Sequence, residues 1–204
     1  MKIHILFGMI GFILLSGCNR AAEKNPRFYD AGVSRELAGH RKAQIKNLKY
    51  ELSFNIPRQK EAAIEGDITL RFDLASRQEV LIDFREEREK IKEVIANGVP
   101  VDKVRFENEH IILPASSTVE GANGIRIRFT AGNQSLNRND EYLYTLLVPD
   151  RARTVFPCFE QPNLKAEFTL QLELPADWKA VSNTYIRSET VTDDRKTVCF
   201  ARSE

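Results

Sequence analysis

Histidine, cysteine and methionine are scarce in this chain of 204 residues, which holds three, three and two of them. Both methionines, Met1 and Met9, and the first histidine, His4, fall within the opening nine residues, so the remainder offers only His40 and His110 as imidazoles. A hydrolytic zinc centre needs two imidazoles one helical turn apart, a further carboxylate ligand and a glutamate base beside the metal-bound water. Neither His40 nor His110 opens an H-E-x-x-H run and they stand far apart in the chain. They form no recognisable ligand cluster, and each reads as a surface or edge histidine. Also missing are a C-x-x-C pair, a phosphate-cradling glycine loop, a dinucleotide fingerprint and a G-x-S-x-G elbow. Charge of either sign is not in excess: 30 basic and 29 acidic residues leave a formal net charge of +1. That balance argues against a nucleic-acid stripe or an acidic tail and predicts a mixed, solvated surface. No repeat of fixed period is visible.

Long hydrophobic runs are missing too. The longest, Ile5 to Leu15, is too short to span a bilayer as a permanent helix. With Lys2 ahead of it, the run reads as the helical h-region of a secretory signal. The residues Leu15-Ser16-Gly17-Cys18 that follow resemble the lipobox of bacterial lipoproteins. That resemblance implies cleavage before Cys18, acylation of Cys18, and an exported chain anchored to a membrane by lipid, on the periplasmic side or at the cell surface. Residues 1–17 are then the signal, 18–33 a polar, flexible tether and 34–204 the folded domain, long enough for a sound core. Cys158 and Cys199 are the cysteines left over. An exported compartment permits a bridge between them, while two buried free thiols are the commoner state of lone cysteines.

What the chain does have is alternation. Ser34 caps a short helix running to about Ala43, weakened by Gly39. Leu48, Tyr50, Leu52, Phe54 and Ile56 then alternate with polar residues, as do Ile64, Ile68, Leu70, Phe72 and Leu74, with Gly66 marking a bulge or a close approach. Val80 to Phe84 reads as a third strand. Asn97-Gly98 supplies a type I′ hairpin turn between Val94 and Val101, with Pro100 confined to an edge. A second hairpin joins Val104–Phe106 to His110–Leu113, and Ile125, Ile127 and Phe129 alternate with arginines on a solvated strand face. Tyr142–Val148, Ala166–Leu174, Trp178–Val181, Tyr185–Ser188 and Thr197–Ala201 complete a set of short strands. The fold class is therefore all-β, a multi-stranded sandwich or saddle of curved sheets with a short helix before the first strand. Trp178, Tyr142 and Tyr144 are candidates for a peptide or sugar groove, although aromatics in such folds are more often core.

One stretch stands out. Arg153, Phe156, Pro157, Cys158, Glu160, Pro162, Lys165 and Ala166 lie in a run whose two prolines exclude a helix interior or a central strand, so it forms an ordered corner, with Arg153 and Glu160 able to pair across it. The run resembles the segment that ends the N-terminal β-domain of M1 (gluzincin) zinc aminopeptidases, and the resemblance extends from about Leu37 to the last residue. It implies the saddle-like N-terminal domain of that family, in a bacterial lipoprotein form that stops before the catalytic domain. Such a domain walls the substrate cleft and helps hold peptide N-termini, while zinc belongs to the absent catalytic domain, in cis or from a split gene. No cofactor is implied in this chain. The family's Gly-x-Met-Glu-Asn loop is missing, and so is the glutamine that many members place before the corner to bind the substrate amine. Thr145 to Asp150 contains none, leaving Asp150 or Glu141 as electrostatic substitutes. A stand-alone, non-enzymatic scaffold lipoprotein on the same sandwich is the rival expectation.

Overall fold

The computed structural model describes residues 26–139 and 141–203. The signal, the lipobox with Cys18, and the first part of the tether lie outside the described residues. The first regular element is a helix, α1 (Arg35–Gln44), whose start is fixed by the Ser34 hydroxyl accepting the Leu37 N–H at 3.1 Å. Leu37 and Arg41, one turn apart, form its buried side. The chain passes directly from the helix into β1 (Ile45–Asn55) and returns as β2 (Glu65–Leu74). Strands β3 (Val80–Asp83), β4 (Ile91–Ala96), β5 (Val99–Pro100), β6 (Arg105–Glu107), β7 (His110–Leu113) and β8 (Gly121–Thr130) follow. Then come β9 (Leu136–Arg138), β10 (Leu143–Thr145), β11 (Glu167–Pro175), β12 (Ile186–Thr192) and β13 (Arg195–Phe200).

Eight of these build one mixed sheet in the order β12-β13-β11-β1-β2-β8-β4-β5. Strands β1 and β11 run parallel and their neighbours antiparallel. A three-stranded sheet, β3-β7-β6, lies against it, and β9 and β10 form a separate hairpin. Both β3 and β7 are buried at all four positions. Val80, Ile82, Ile111 and Leu113 join the core of the large sheet, whereas Leu81 and Ile112 face the opposite way onto Leu37, with Phe28 and Tyr29 at the margin. The small sheet is thus the middle layer between the large sheet and α1, which is why Val80 to Phe84 reads as a continuous apolar run rather than an alternating one.

The other face of the large sheet is solvated. Arg71 bonds Glu51 at 2.7 Å, Arg126 bonds Asp67 at 2.6 Å, Arg128 bonds Glu93 at 3.1 Å and Lys49 bonds Glu167 at 3.1 Å. These cross-strand pairs keep the arginines flanking Ile127 occupied, and exposed pairs of this kind each add little stability. The Asn97-Gly98 turn has the two positive φ values expected, 53° and 82°, and β5 with Pro100 lies at the sheet edge.

Two expectations are corrected, and the alternative left open at Gly66 is decided. Trp178–Val181 is not a strand: β11 ends at Pro175, Trp178 N–H turns back to the Pro175 carbonyl at 3.0 Å, and the indole packs on the main core. The strand expected over Tyr142–Val148 is only Leu143–Thr145, and the short β9 that pairs with it was not foreseen. Gly66 carries no bulge, since its pairing with Phe54 and Phe129 is in continuous register. It is a close approach: a Cβ there would sit 2.3 Å from the Phe129 ring, which is fully buried and held edge-on by Phe54 and Phe84. Among the described residues no helix is long and apolar enough to cross a membrane.

Gly66→Ala is expected to lower unfolding free energy by about 1–3 kcal/mol, because the trapped ring has nowhere to move. Gly39→Ala, on an open side of α1 with nothing within 4 Å, is expected to raise it by roughly 0.5–1 kcal/mol. Urea titration of both variants checks the pair. A neutral Gly66→Ala would mean that the ring relaxes freely.

Candidate functional site

The corner that begins at Arg153 is riveted to three different elements. A 3-10 turn over Ala152–Thr154 leads into Phe156, Pro157 and Cys158, all buried. Cys158 pairs with Asp83 as an isolated antiparallel bridge, with N–H to O distances of 2.8 and 3.0 Å in the two directions. Phe159 N–H donates to the Tyr50 hydroxyl on β1 at 2.8 Å, and Glu160 N–H donates to the Asp83 carboxylate at 2.9 Å. The Gln161 amide reaches the Ala38 carbonyl on α1 at 3.1 Å. Pro157 cannot donate, and the N–H groups of Cys158, Phe159 and Glu160 are bonded outward to Asp83 and Tyr50, so the segment meets β3 through a single bridge.

Asp83 is the hub. Its side chain is fully buried and accepts Arg41 Nη1 at 2.7 Å, Arg41 Nη2 at 2.6 Å and the Glu160 N–H, while His110 Nδ1 lies 2.8 Å from the same carboxylate. His110, also fully buried, uses its other nitrogen on the Asp30 carbonyl at 2.9 Å, and Arg41 reaches the Leu81 carbonyl at 2.8 Å and covers the Phe159 ring. Burial by itself would push the Asp83 carboxyl up. The Arg41 guanidinium and the His110 hydrogen bond outweigh it and hold the carboxyl below its ordinary value. Burial pushes the Cys158 thiol well up, with the nearby Glu160 and Asp83 charges adding to the effect, so it is a poor nucleophile. Burial raises Glu160 as well, although the bond from the Arg153 N–H opposes this.

A second knot sits beside the first. The Arg153 guanidinium grips Asp150 at 2.9 and 3.1 Å and pairs with Glu109, a residue held at φ 70° in the β6–β7 turn. The expected side-chain pair between Arg153 and Glu160 is corrected: Glu160 accepts the Arg153 backbone N–H at 2.7 Å, and the guanidinium is committed elsewhere. Asp150 is thereby occupied, and Glu141 stands exposed. Pro162 and Lys165 are exposed, while Ala166 packs on the core. The expectation of a surface or edge histidine is wrong for His110, which lies in the middle layer because β7 is covered on both faces. His40 is half-buried against Phe28, with ring centroids 4.8 Å apart. Cys158 and Cys199 are both free, the first buried and the second half-buried. Tyr142 and Tyr144 stay about half exposed on β10 and its approach, whereas Trp178 belongs to the core.

Among the described residues no group of three or more His, Cys, Asp or Glu is placed to hold a metal. The nearest set of donors, Asp83, His110 and Cys158, does not fit zinc. Asp83 is filled by Arg41 and Glu160 N–H, both His110 nitrogens are engaged, and the thiol is held protonated. The arrangement fixes the corner against β1, β3 and α1. Arg41, Asp83, Glu109, His110 and Tyr50 escaped sequence reasoning as members of it. The available signal was Asp83, a charged residue ending an otherwise apolar run, which must find a counterion if the run is buried.

Residues 46–204 match the peptidase M1 N-terminal domain. Aminopeptidase N of Streptomyces lividans is 32% identical over 166 residues, covering 74% of this chain and 19% of that protein. Glutamyl aminopeptidase of Sus scrofa is 44% identical over 46 residues, 22% of this chain and 5% of that protein. Among solved structures, an M1 zinc metallopeptidase from Deinococcus radiodurans superposes with a TM-score of 0.65 at 19% identity, over 77% of this chain and 38% of that one, a likeness of fold. The chain thus spans about one fifth of the Streptomyces protein and under two fifths of the Deinococcus one.

The clasp predicts a two-sided response to acid. Glu160, raised in the folded state, costs stability when ionised, so protonating it as pH falls towards its ordinary value of 4.5 restores stability. Asp83, lowered in the folded state, contributes stability above its unfolded value of 3.8, and this is lost as pH falls further through the folded value. Urea midpoints are expected to hold or rise down to about pH 4.5 and then drop, with Glu160→Gln removing the rise. Asp83→Asn at pH 7 is expected to cost about 3–5 kcal/mol by leaving Arg41 unpaired. Midpoints that ignore pH below 4 in the unmutated chain would contradict the assignment.

Proposed function

The chain belongs to the peptidase M1 N-terminal domain family, and on that premise we propose that it is the non-catalytic β-domain of an exported zinc aminopeptidase. It docks on a catalytic domain, supplied in cis or by a separate gene, walls one side of the substrate cleft and helps position peptide N-termini there. The observation that carries this reading is the Arg153–Ala166 corner. Its backbone N–H groups and the Gln161 amide are spent on bonds to Asp83, Tyr50 and α1, which stiffen a wall, and its buried thiol is held protonated. Zinc, as the Lewis acid and water activator of the reaction, belongs to the partner domain. Lipid on Cys18, a residue outside the described ones, would hold the assembly at a membrane surface through the polar tether.

The full chain, incubated with zinc and dialysed, is expected to retain no stoichiometric metal by mass spectrometry and to release no product from aminoacyl anilides. Stoichiometric zinc together with chelator-sensitive hydrolysis would sink the non-catalytic reading. In a bacterial host, Cys18→Ala is expected to move the chain from the membrane fraction to the soluble one, and a variant that stays with the membrane would refute the lipid anchor.

A further inference from the structure

His110 has acceptors on both sides of its ring. Nδ1 lies 2.8 Å from the Asp83 carboxylate, Nε2 lies 2.9 Å from the Asp30 carbonyl, and the imidazole is fully buried. A carbonyl oxygen only accepts. The carboxylate only accepts as well, because Arg41 grips it with two nitrogens at 2.6 and 2.7 Å, the Glu160 N–H reaches it at 2.9 Å, and these partners favour its ionised form. A neutral imidazole has one N–H and one lone pair, so either tautomer sets a lone pair against an oxygen at hydrogen-bond distance. Only the imidazolium, with a proton on each nitrogen, satisfies both contacts.

Asp30 belongs to a strap over residues 26–33 that opens with a 3-10 turn, Pro26–Tyr29, and leads into α1. Phe28 and Tyr29 pack at the margin of Leu37, Leu81 and Ile112. The Asn108 amide donates to the Tyr29 carbonyl at 2.8 Å, the Tyr29 hydroxyl bonds Glu79, and Arg27 pairs with Glu36 at 3.2 Å. The Arg27 pair is solvent-exposed and holds weakly, whereas the His110 bond comes from a fully buried donor. We propose that His110 is a buried imidazolium that latches the strap to the domain, and that loss of its Nε2 proton releases the strap. Nε2 is the site that gives up its proton, since Nδ1–H faces the Asp83 charge and Nε2–H faces only a carbonyl dipole. Charged and titratable groups surround the ring from every neighbouring element: Asp83 on β3, Arg41 on α1, Glu109 beside it in the β6–β7 turn, Cys158, Glu160 and Arg153 in the corner, and Asp30 and Tyr29 on the strap. Arg41 opposes a second cation, while the Asp83, Glu109 and Glu160 carboxylates favour it. Tyr29, pushed up to about 12 by burial and its Glu79 bond, keeps its proton while an imidazole titrates. For a chain held by lipid at Cys18, as proposed above, releasing residues 26–33 lengthens the tether by at most about 29 Å. The latch itself does not depend on that anchor.

The test uses the full chain with isotope-labelled histidine. Ring protonation is followed by NMR, and strap opening by amide hydrogen exchange over residues 28–31, from about pH 6 to about pH 9. Both His110 nitrogens are expected to carry protons at about pH 7. As pH rises, Nε2 is expected to lose its proton, and the protection of residues 28–31 relative to β2 to fall roughly tenfold with it. His110→Gln, which cannot titrate, is expected to leave strap protection flat with pH. His40→Asn, which removes the imidazole packed on Phe28, is expected to keep the fall. A single ring proton on His110 at about pH 7, or strap protection that ignores the titration, overturns the latch. So does a pH response lost with His40→Asn and kept with His110→Gln. The ring readout is made on the unmutated chain, so it decides the matter even where a variant fails to fold.

Discussion

A single buried carboxylate ties the helix, the small sheet and the proline corner of this domain together. Asp83 sits at the end of the middle sheet with no access to solvent, and the groups that compensate it come from α1 (Arg41), from β7 (His110) and from the corner (Glu160 N–H). A carboxylate so placed costs several kcal/mol of desolvation unless its partners converge, so they must all be in place together. Helix, small sheet and corner are thereby registered against one another. The apolar contact between α1 and the small sheet is Leu37 against Leu81 and Ile112, with Phe28 and Tyr29 at its margin.

The same joint commits the ionisable groups that it gathers. Asp83 and both nitrogens of His110, which in other settings act as bases or ligands, are here hydrogen-bonded, and the buried Cys158 thiol is pushed away from its reactive form. The solvated face of the large sheet carries its own compensated charges.

Much of the architecture was legible in the chain. Alternation along β1, β2 and β8 marks one buried face, Asn97-Gly98 marks a hairpin, Ser34 marks a helix start, and two prolines mark the corner. Trp178–Val181 misled because an aromatic with aliphatic neighbours looks like strand whether it packs from a strand or from a turn. His110 misled because a strand's second covered face leaves no trace in its own alternation.

The sequence by itself determined the family, the β-rich class, the capped helix and the position of the corner, because those rest on local spacing, turn chemistry and a motif of contiguous residues. Only the tertiary structure decided that Arg41, Asp83 and His110 meet, that Arg153 turns to Glu109 and Asp150 rather than Glu160, and that Gly66 makes room for Phe129. Each of those depends on which elements stack on which, and burial energies and ion pairing between residues distant in the chain are set by that stacking rather than by any neighbour in the sequence.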